Sequence, residues 1–238
     1  MKKIVIIGAN DFQNQLILKA KEMGFETHVF AWQDGSIGEK TADYFYPISI
    51  VETDAILEKC REIQPDAVAT IASDLANITV SKVAAGLGLP GNTPECIEIS
   101  TNKYAMRSAF KKAGLSTPAF YKVDHVTDEL YQMQLPIIVK PTDRSGSRAI
   151  TKITDFKDLP EAVRQAVGQS FEKKAIVEEY IEGNEYSYET ISYRGKHTNL
   201  AVTKKYTTGA PHFIETGHCE PSDLSEEMLQ KVQKKVGG

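Results

Sequence analysis

The sequence predicts an α/β fold, and three observations support this prediction. Short apolar runs alternate with helical patterns over residues 2–92, which is typical of a parallel sheet with right-handed crossovers. Residues 89–94 are then rich in turn formers and predict a domain boundary. Further strand and helix patterns follow this boundary. We therefore expect one domain at residues 1–92 and a second at residues 93–238.

The elements of the first domain are predicted from apolar runs and from residues that start or stop helices. Gly24 and Pro65 follow two helical patterns and should end them, and Ser73 can cap a third helix. The predicted strands are residues 4–7, 27–32 and 67–71, and the predicted helices are residues 15–23, 54–63 and 74–87.

The second domain is predicted in the same way. Asn102 can cap a helix that Gly114 ends, and Pro160 lies in the first turn of another. Arg194 and Gly195 can form a hairpin turn. The predicted strands are residues 119–123, 136–140, 175–177, 186–193 and 196–204, and the predicted helices are residues 103–113, 158–171 and 225–236, the last of which we expect to end at Gly237 and Gly238.

The composition excludes several classes of protein. The chain has 238 residues with a net charge of −4, which gives no electrostatic reason to expect nucleic-acid binding. Its first apolar run, residues 4–7, is too short for a signal peptide or a membrane span. The three cysteines are scattered, as in a reducing compartment. We therefore expect a cytoplasmic protein with small-molecule substrates and no nucleic-acid or membrane partner.

A lysine at the end of an apolar run is the first candidate for chemistry. Lys140 ends the run at residues 136–140, and a loop of small residues and two arginines, 142–149, follows it. Pro141 biases Lys140 towards extended backbone. A fixed cation beside a loop with accessible N–H groups suits a polyphosphate, although a solvated lysine at a strand end is the plainer alternative.

A second apolar run, residues 175–177, leads into two carboxylates, an aromatic residue and a glycine turn at residues 178–185. Adenine needs an apolar slot with a backbone donor and acceptor at its edge, and a ribose needs a carboxylate. This segment can supply both. Taken alone, it is better explained as a strand that enters a charged turn.

Together these segments resemble the ATP-grasp superfamily. The match consists of the strand that ends in Lys140, the small-residue loop, the segment 177–185, the helix start at Lys103 and the Gly114–Pro118 continuation. The pattern is similar to the carbamoyl-phosphate synthase large subunit and to stand-alone carboxylate–amine ligases. The resemblance implies a Rossmann-like domain followed by an ATP-grasp domain, whose small subdomain covers about residues 115–181 and whose C-terminal subdomain starts at about residue 183.

The resemblance also implies roles for individual residues. Glu179 and Ile181 would pair with the adenine edge through their backbones, Glu178 would accept from its amine, and Glu185 would bind the ribose. Arg148 would meet the γ-phosphate, and His218 would contact phosphate or assist proton transfer, with a surface-loop histidine as the alternative. The implied ATP-binding residues are Lys103, Lys140, Ser145, Gly146, Ser147, Glu178, Glu179, Tyr180, Ile181 and Glu185.

The implied reaction joins a carboxylate to an amine or ammonia through an acyl phosphate, with ATP and Mg²⁺ and with release of ADP. We find no metal ligands in the sequence and expect them beyond residue 238, so the ATP-grasp domain is expected to be incomplete.

The first alternative to a ligase is a non-catalytic or fragmentary ATP-binding module. A second is a nicotinamide-dependent oxidoreductase that uses Gly8–Asn10, although this segment lacks the later glycines of the dinucleotide fingerprint. A homodimer is possible.

Overall fold

The computed structural model describes residues 1–236 and contains two compact units. The first covers Met1–Ala113, and the second begins at Gly114. The first unit thus extends past the boundary expected at residue 92, and the assignment of domains stays a prediction. The predicted end of the last helix at Gly237 and Gly238 lies outside the described residues.

The first unit is a parallel sheet, as predicted, and helices pack on both of its faces. The strand order is β3-β2-β1-β4, and all three strand pairs are parallel. Along β1, Val5 and Ile7 join the core on one face, whereas Ile4 and Ile6 join the core on the other. This alternation follows from the two-residue period of a strand. The elements are β1 Lys3–Ile7, α1 Asp11–Glu22, β2 Glu26–Phe30, α2 Gly38–Thr41, β3 Tyr44–Tyr46, α3 Thr53–Ile63, β4 Ala67–Ala69, α4 Asp74–Leu87, α5 Pro94–Thr101 and α6 Lys103–Lys112.

Side-chain caps decide where several helices begin. The Asn10 side chain accepts hydrogen bonds from the backbone N–H groups of Phe12 and Gln13, at 3.0 and 3.4 Å. Helix α1 therefore begins at Asp11, four residues earlier than its apolar pattern predicts. Ser73 and Asn102 cap α4 and α6 as expected.

The second unit contains two antiparallel sheets. One has the order β5-β8-β6-β7, and the other has the order β11-β10-β9. Helix α7 packs on one face of the first sheet, where Ile137, Val139 and Val177 meet Leu159 and Val163 in a buried core. The elements are β5 Phe120–Val123, β6 Ile137–Pro141, β7 Thr151–Ile153, α7 Leu159–Gln169, β8 Ala175–Glu179, β9 Glu185–Tyr193, β10 Lys196–Thr207, β11 Glu215–Cys219 and α8 Glu226–Val236.

The sequence did not predict five elements of the structure: α2, β3, α5, β7 and β11. Four of them have only three to five residues, which are too few to show the hydrophobic periodicity that identifies a helix or a strand. Helix α5 begins at Pro94, the last residue of the segment predicted to be a domain boundary.

Candidate functional site

Lys140 and Glu178 form a buried ion pair on the sheet face opposite α7. Val139 points into the core, so its neighbour Lys140 points to the other face. There the Lys140 Nζ donates a hydrogen bond to Glu178 Oε1 on the neighbouring strand β8. The two side chains are only 16% and 6% exposed. Lys140 is thus held in one place, as a phosphate-binding cation should be.

Two further lysines lie on the same face of this sheet. Lys152 on β7 is opposite Ile138 on β6, and Ile138 is opposite Glu178 on β8. Lys122 on β5 shares the partner Ile176 with Lys140. Directly opposed residues of an antiparallel pair have their side chains on one face. Neither lysine was predicted from the sequence as a site residue.

The chain leaves the first sheet at the segment predicted to meet adenine. The Glu179 N–H donates to Ala119 O at 2.9 Å, and the Tyr180 N–H donates to Pro136 O at 3.1 Å. Within residues 1–236, the Ile181 N–H has no hydrogen-bond acceptor, and Ile181 is 63% exposed. The backbone at Ile181 is thus able to donate to a ligand, whereas that at Glu179 donates within the sheet.

The loop after Lys140 is fixed at its base. Both carboxylate oxygens of Asp143 accept backbone N–H groups, from Phe171 at 3.1 Å and from Glu172 at 2.7 Å. Farther along, Ser147 Oγ donates to Phe213 O at 2.8 Å. The predicted phosphate-binding residues Ser145 and Gly146 lie between these anchors and are exposed.

The tip of this loop has unusual backbone angles. Gly146, Ser147 and Ala149 have φ angles of 72°, 54° and 49°. The left-handed region suits glycine but strains a residue with a β-carbon. Ala149 is thus a strained position.

Arg148 lies beside α7. It is exposed and lines an open groove of about 610 Å³ together with Ala149 and the helix residues Arg164, Gln165, Gly168 and Gln169. Because α7 packs on the sheet face opposite Lys140, the structure does not bring Arg148 to the Lys140–Glu178 pair. Its contact with a γ-phosphate stays a prediction.

The second sheet brings Glu185 and His218 into one charged row. Lys205 is opposite Glu185 on β9 and opposite His218 on β11. The Lys205 Nζ lies 3.1 Å from Glu185 Oε2 and 3.9 Å from Glu215 Oε2, and His218 Nε2 lies 2.6 Å from Glu215 Oε1. The predicted ribose-binding carboxylate and the predicted catalytic histidine thus share one face, linked by Lys205 and Glu215.

A second ion pair connects this sheet to the segment before α8. Asp223 accepts hydrogen bonds from Lys204 Nζ at 2.5 Å and from the Tyr186 hydroxyl at 2.8 Å. The hydrogen bond from Lys204 lowers the pKa of Asp223, and the same contact raises the pKa of Lys204. Residues 185 and 186 alternate across β9, so this contact lies on the face opposite Glu185.

In the first unit, the segment Gly8–Asn10 does not present a dinucleotide site. The Asn10 side-chain oxygen already accepts hydrogen bonds from two backbone N–H groups in the first turn of α1. The Gln13 side chain lies against Gly8, within 3.0 Å of where a β-carbon would be. The space that a pyrophosphate needs above this turn is therefore filled. Lys103, the other predicted phosphate-side cation, is the first residue of α6 in this unit.

Comparison with known proteins agrees with this arrangement. Residues 133–237 match the ATP-grasp domain family, and this range contains the Lys140–Glu178 pair, the loop, the hinge and the second sheet. This chain belongs to the ATP-grasp superfamily. The predicted fold class and family are thereby confirmed.

The ATP-grasp relatives are longer proteins. Alanine–anticapsin ligase of Bacillus subtilis (strain 168) is 30% identical over 189 residues, which are 68% of this chain and 39% of that protein. The crystal structure of an L-amino acid ligase from Bacillus licheniformis has a TM-score of 0.84 at 26% identity and covers 100% of this chain and 59% of that one. This ATP-grasp chain thus spans between about two fifths and three fifths of these relatives.

A more distant structure shares the fold. The biotin carboxylase domain of the Hydrogenobacter thermophilus 2-oxoglutarate carboxylase, crystallised with MgADP, ADP and bicarbonate, has a TM-score of 0.81 at 18% identity over 99% of this chain and 56% of that one.

Residues 1–236 contain no group of three or more His, Cys, Asp or Glu residues placed to hold a metal ion. Within the same residues, no helix is long and apolar enough to cross a bilayer.

Proposed function

We propose that this chain binds ATP on the lysine-rich face of the β5-β8-β6-β7 sheet and forms the nucleotide-binding part of an ATP-dependent carboxylate–amine ligase. The observation that carries the proposal is the buried Lys140–Glu178 pair beside an unpaired backbone donor at Ile181. The fixed cation suits the phosphates of a nucleotide. The backbone donor and the apolar strand suit its base. The relatedness to L-amino acid and alanine–anticapsin ligases supports the reaction class.

The proposed nucleotide pose uses the predicted residues. Lys140 would balance the charge of the phosphates, and Ser145, Gly146 and Ser147 would close over them; the role of Lys103, in the first unit, stays a prediction. The hinge of Glu178, Glu179, Tyr180 and Ile181 would hold the adenine. Glu185 would bind the ribose hydroxyls, for which its carboxylate has to exchange its contact with Lys205.

In the proposed reaction, a substrate carboxylate oxygen attacks the γ-phosphorus of ATP. The bond from that phosphorus to the oxygen bridging to the β-phosphate breaks, and ADP leaves with the electron pair. The amine nitrogen then attacks the acyl carbon, phosphate leaves, and the amine loses a proton to form the amide. Positioning and charge balance supply most of the catalysis in the first step. Arg148 and His218 are proposed to meet the transferred phosphoryl group.

Magnesium is the proposed counter-ion of the phosphates. When bound, it would neutralise phosphate charge, and hard oxygen ligands would hold it. The described residues do not provide a cluster of such ligands, and this observation favours the alternative function, a non-catalytic or fragmentary ATP-binding module.

Calorimetric titration with MgATP tests the proposal. We expect saturable binding that Lys140→Met weakens at least tenfold, whereas Lys157→Met, which removes an exposed charge, leaves it unchanged. Equal binding by both variants and the wild type would contradict the proposed site. Turnover with carboxylate and amine mixtures separates the two functions, because ADP formation indicates a ligase and binding without turnover indicates the module. AMP and pyrophosphate as products would exclude the acyl-phosphate route.

A further inference from the structure

Lys152 makes a cation–π contact with the hinge. Its Nζ lies 3.7 Å from the centre of the Tyr180 ring, well inside the distance of about 6 Å at which such contacts stabilise. Lys140 pairs with Glu178, but Lys152 forms no ion pair with any described carboxylate. Within residues 1–236, the aromatic ring is therefore its main electrostatic partner.

This contact lies at the point where the chain leaves the first sheet. The Tyr180 N–H makes a hydrogen bond to Pro136 O, and residues 181–184 that follow are exposed and outside any strand. The side chain of Tyr180 is thus the last anchor before the Ile181 N–H. A contact that fixes the Tyr180 side chain therefore acts on the residue directly before that donor.

We propose that Lys152 is a positioning residue that holds the Tyr180 ring, so that the Ile181 backbone selects adenine over guanine. The inference rests on the proposed function, because it assumes that this hinge meets the base. Adenine presents an acceptor nitrogen beside an amine donor at its edge, whereas guanine presents a carbonyl beside an N–H. A backbone donor distinguishes the two only if its position is fixed, since hydrogen bonds weaken steeply with poor alignment.

A direct contact of Lys152 with phosphate is the competing explanation. The two roles differ in what they predict for a ligand without phosphates. A phosphate contact affects ADP and leaves adenosine unchanged, whereas a hinge contact affects both and also lowers the preference for adenine over guanine.

The experiment measures ADP, GDP and adenosine binding to the full chain by competition against a fluorescent ADP analogue. For Lys152→Met we expect about three- to tenfold weaker binding of both ADP and adenosine, with GDP changed little and the ADP-to-GDP preference reduced accordingly. Lys152→Arg should retain most of the preference, because a guanidinium also stacks on aromatic rings. Tyr180→Leu should reproduce the loss, and Lys157→Met serves as the control of equal charge change.

Each outcome decides between the explanations. Weaker ADP binding with unchanged adenosine binding, or an unchanged ADP-to-GDP preference in both Lys152→Met and Tyr180→Leu, would overturn the inference while leaving the proposed function intact. Failure of the wild type to bind ADP would overturn the proposed function itself and the inference with it. Circular dichroism of each variant confirms that it is folded, and Tyr180→Leu provides the test if Lys152→Met is not.

Discussion

Replacing one member of the Lys140–Glu178 pair should destabilise the second unit by about 4 kcal/mol. With side chains only 16% and 6% exposed, neither group regains water when its partner is removed. At an effective dielectric constant of about 20, two unit charges about 4 Å apart attract each other by about 4 kcal/mol. A single replacement loses that attraction and leaves the desolvation cost of the remaining charge. Replacing both groups removes both terms, so the double variant should lie within about 1 kcal/mol of the wild type.

The assay is a double-mutant cycle with Lys140→Met and Glu178→Gln, which keep the approximate size of the two side chains. Hydrogen–deuterium exchange of peptides that cover β6 and β8 gives the free energy of opening of the second unit. Peptides from β1 report on the first unit and should not change. If the double variant loses the sum of the two single losses, the side chains are not coupled, and the reasoning from burial is refuted.

Three further predictions concern the backbone and pH. Ala149→Gly should raise the free energy of opening of the loop by about 0.5 kcal/mol or more in hydrogen exchange, because φ is 49° there; a decrease would show that the residue is not strained. Gly38→Ala should lower the free energy of unfolding by about 1–3 kcal/mol, because a β-carbon would lie 2.7 Å from Ala9 O. An unchanged melting temperature would contradict this close approach. The hydrogen bond from Lys21 lowers the pKa of Asp43 from 3.8 to about 2, so its stabilisation is complete above about pH 4 and is lost as the pH falls towards 2. Because both side chains are about one third exposed, we expect a loss of only about 1 kcal/mol in acid unfolding, and Asp43→Asn should remove this pH dependence.

Local features of the sequence were sufficient to predict much of the fold. The Ile- and Val-rich run before Lys140 predicted β6, and Asn102 predicted the start of α6, because strand pattern and helix caps depend on neighbouring residues only. The predicted start of helix α1 was wrong. The apolar pattern placed it at residue 15, whereas Asn10, assigned from the sequence to a possible dinucleotide-binding turn, caps the helix so that it begins at Asp11. The residue roles inferred from the ATP-grasp pattern stay predictions.

The sequence by itself determined that this chain has the strand, loop and hinge of an ATP-grasp domain, because those motifs are continuous segments whose backbone preferences are local. Only the tertiary structure decided that Glu178 pairs with Lys140, that Lys152 covers Tyr180, that Lys205 joins Glu185 to the Glu215–His218 contact and that Arg148 lies beside α7. The physical reason is the strand order β5-β8-β6-β7. The period of a strand predicts which face a side chain occupies, but its neighbours on that face come from strands distant in the chain, whose order and register arise from the packing of the whole core.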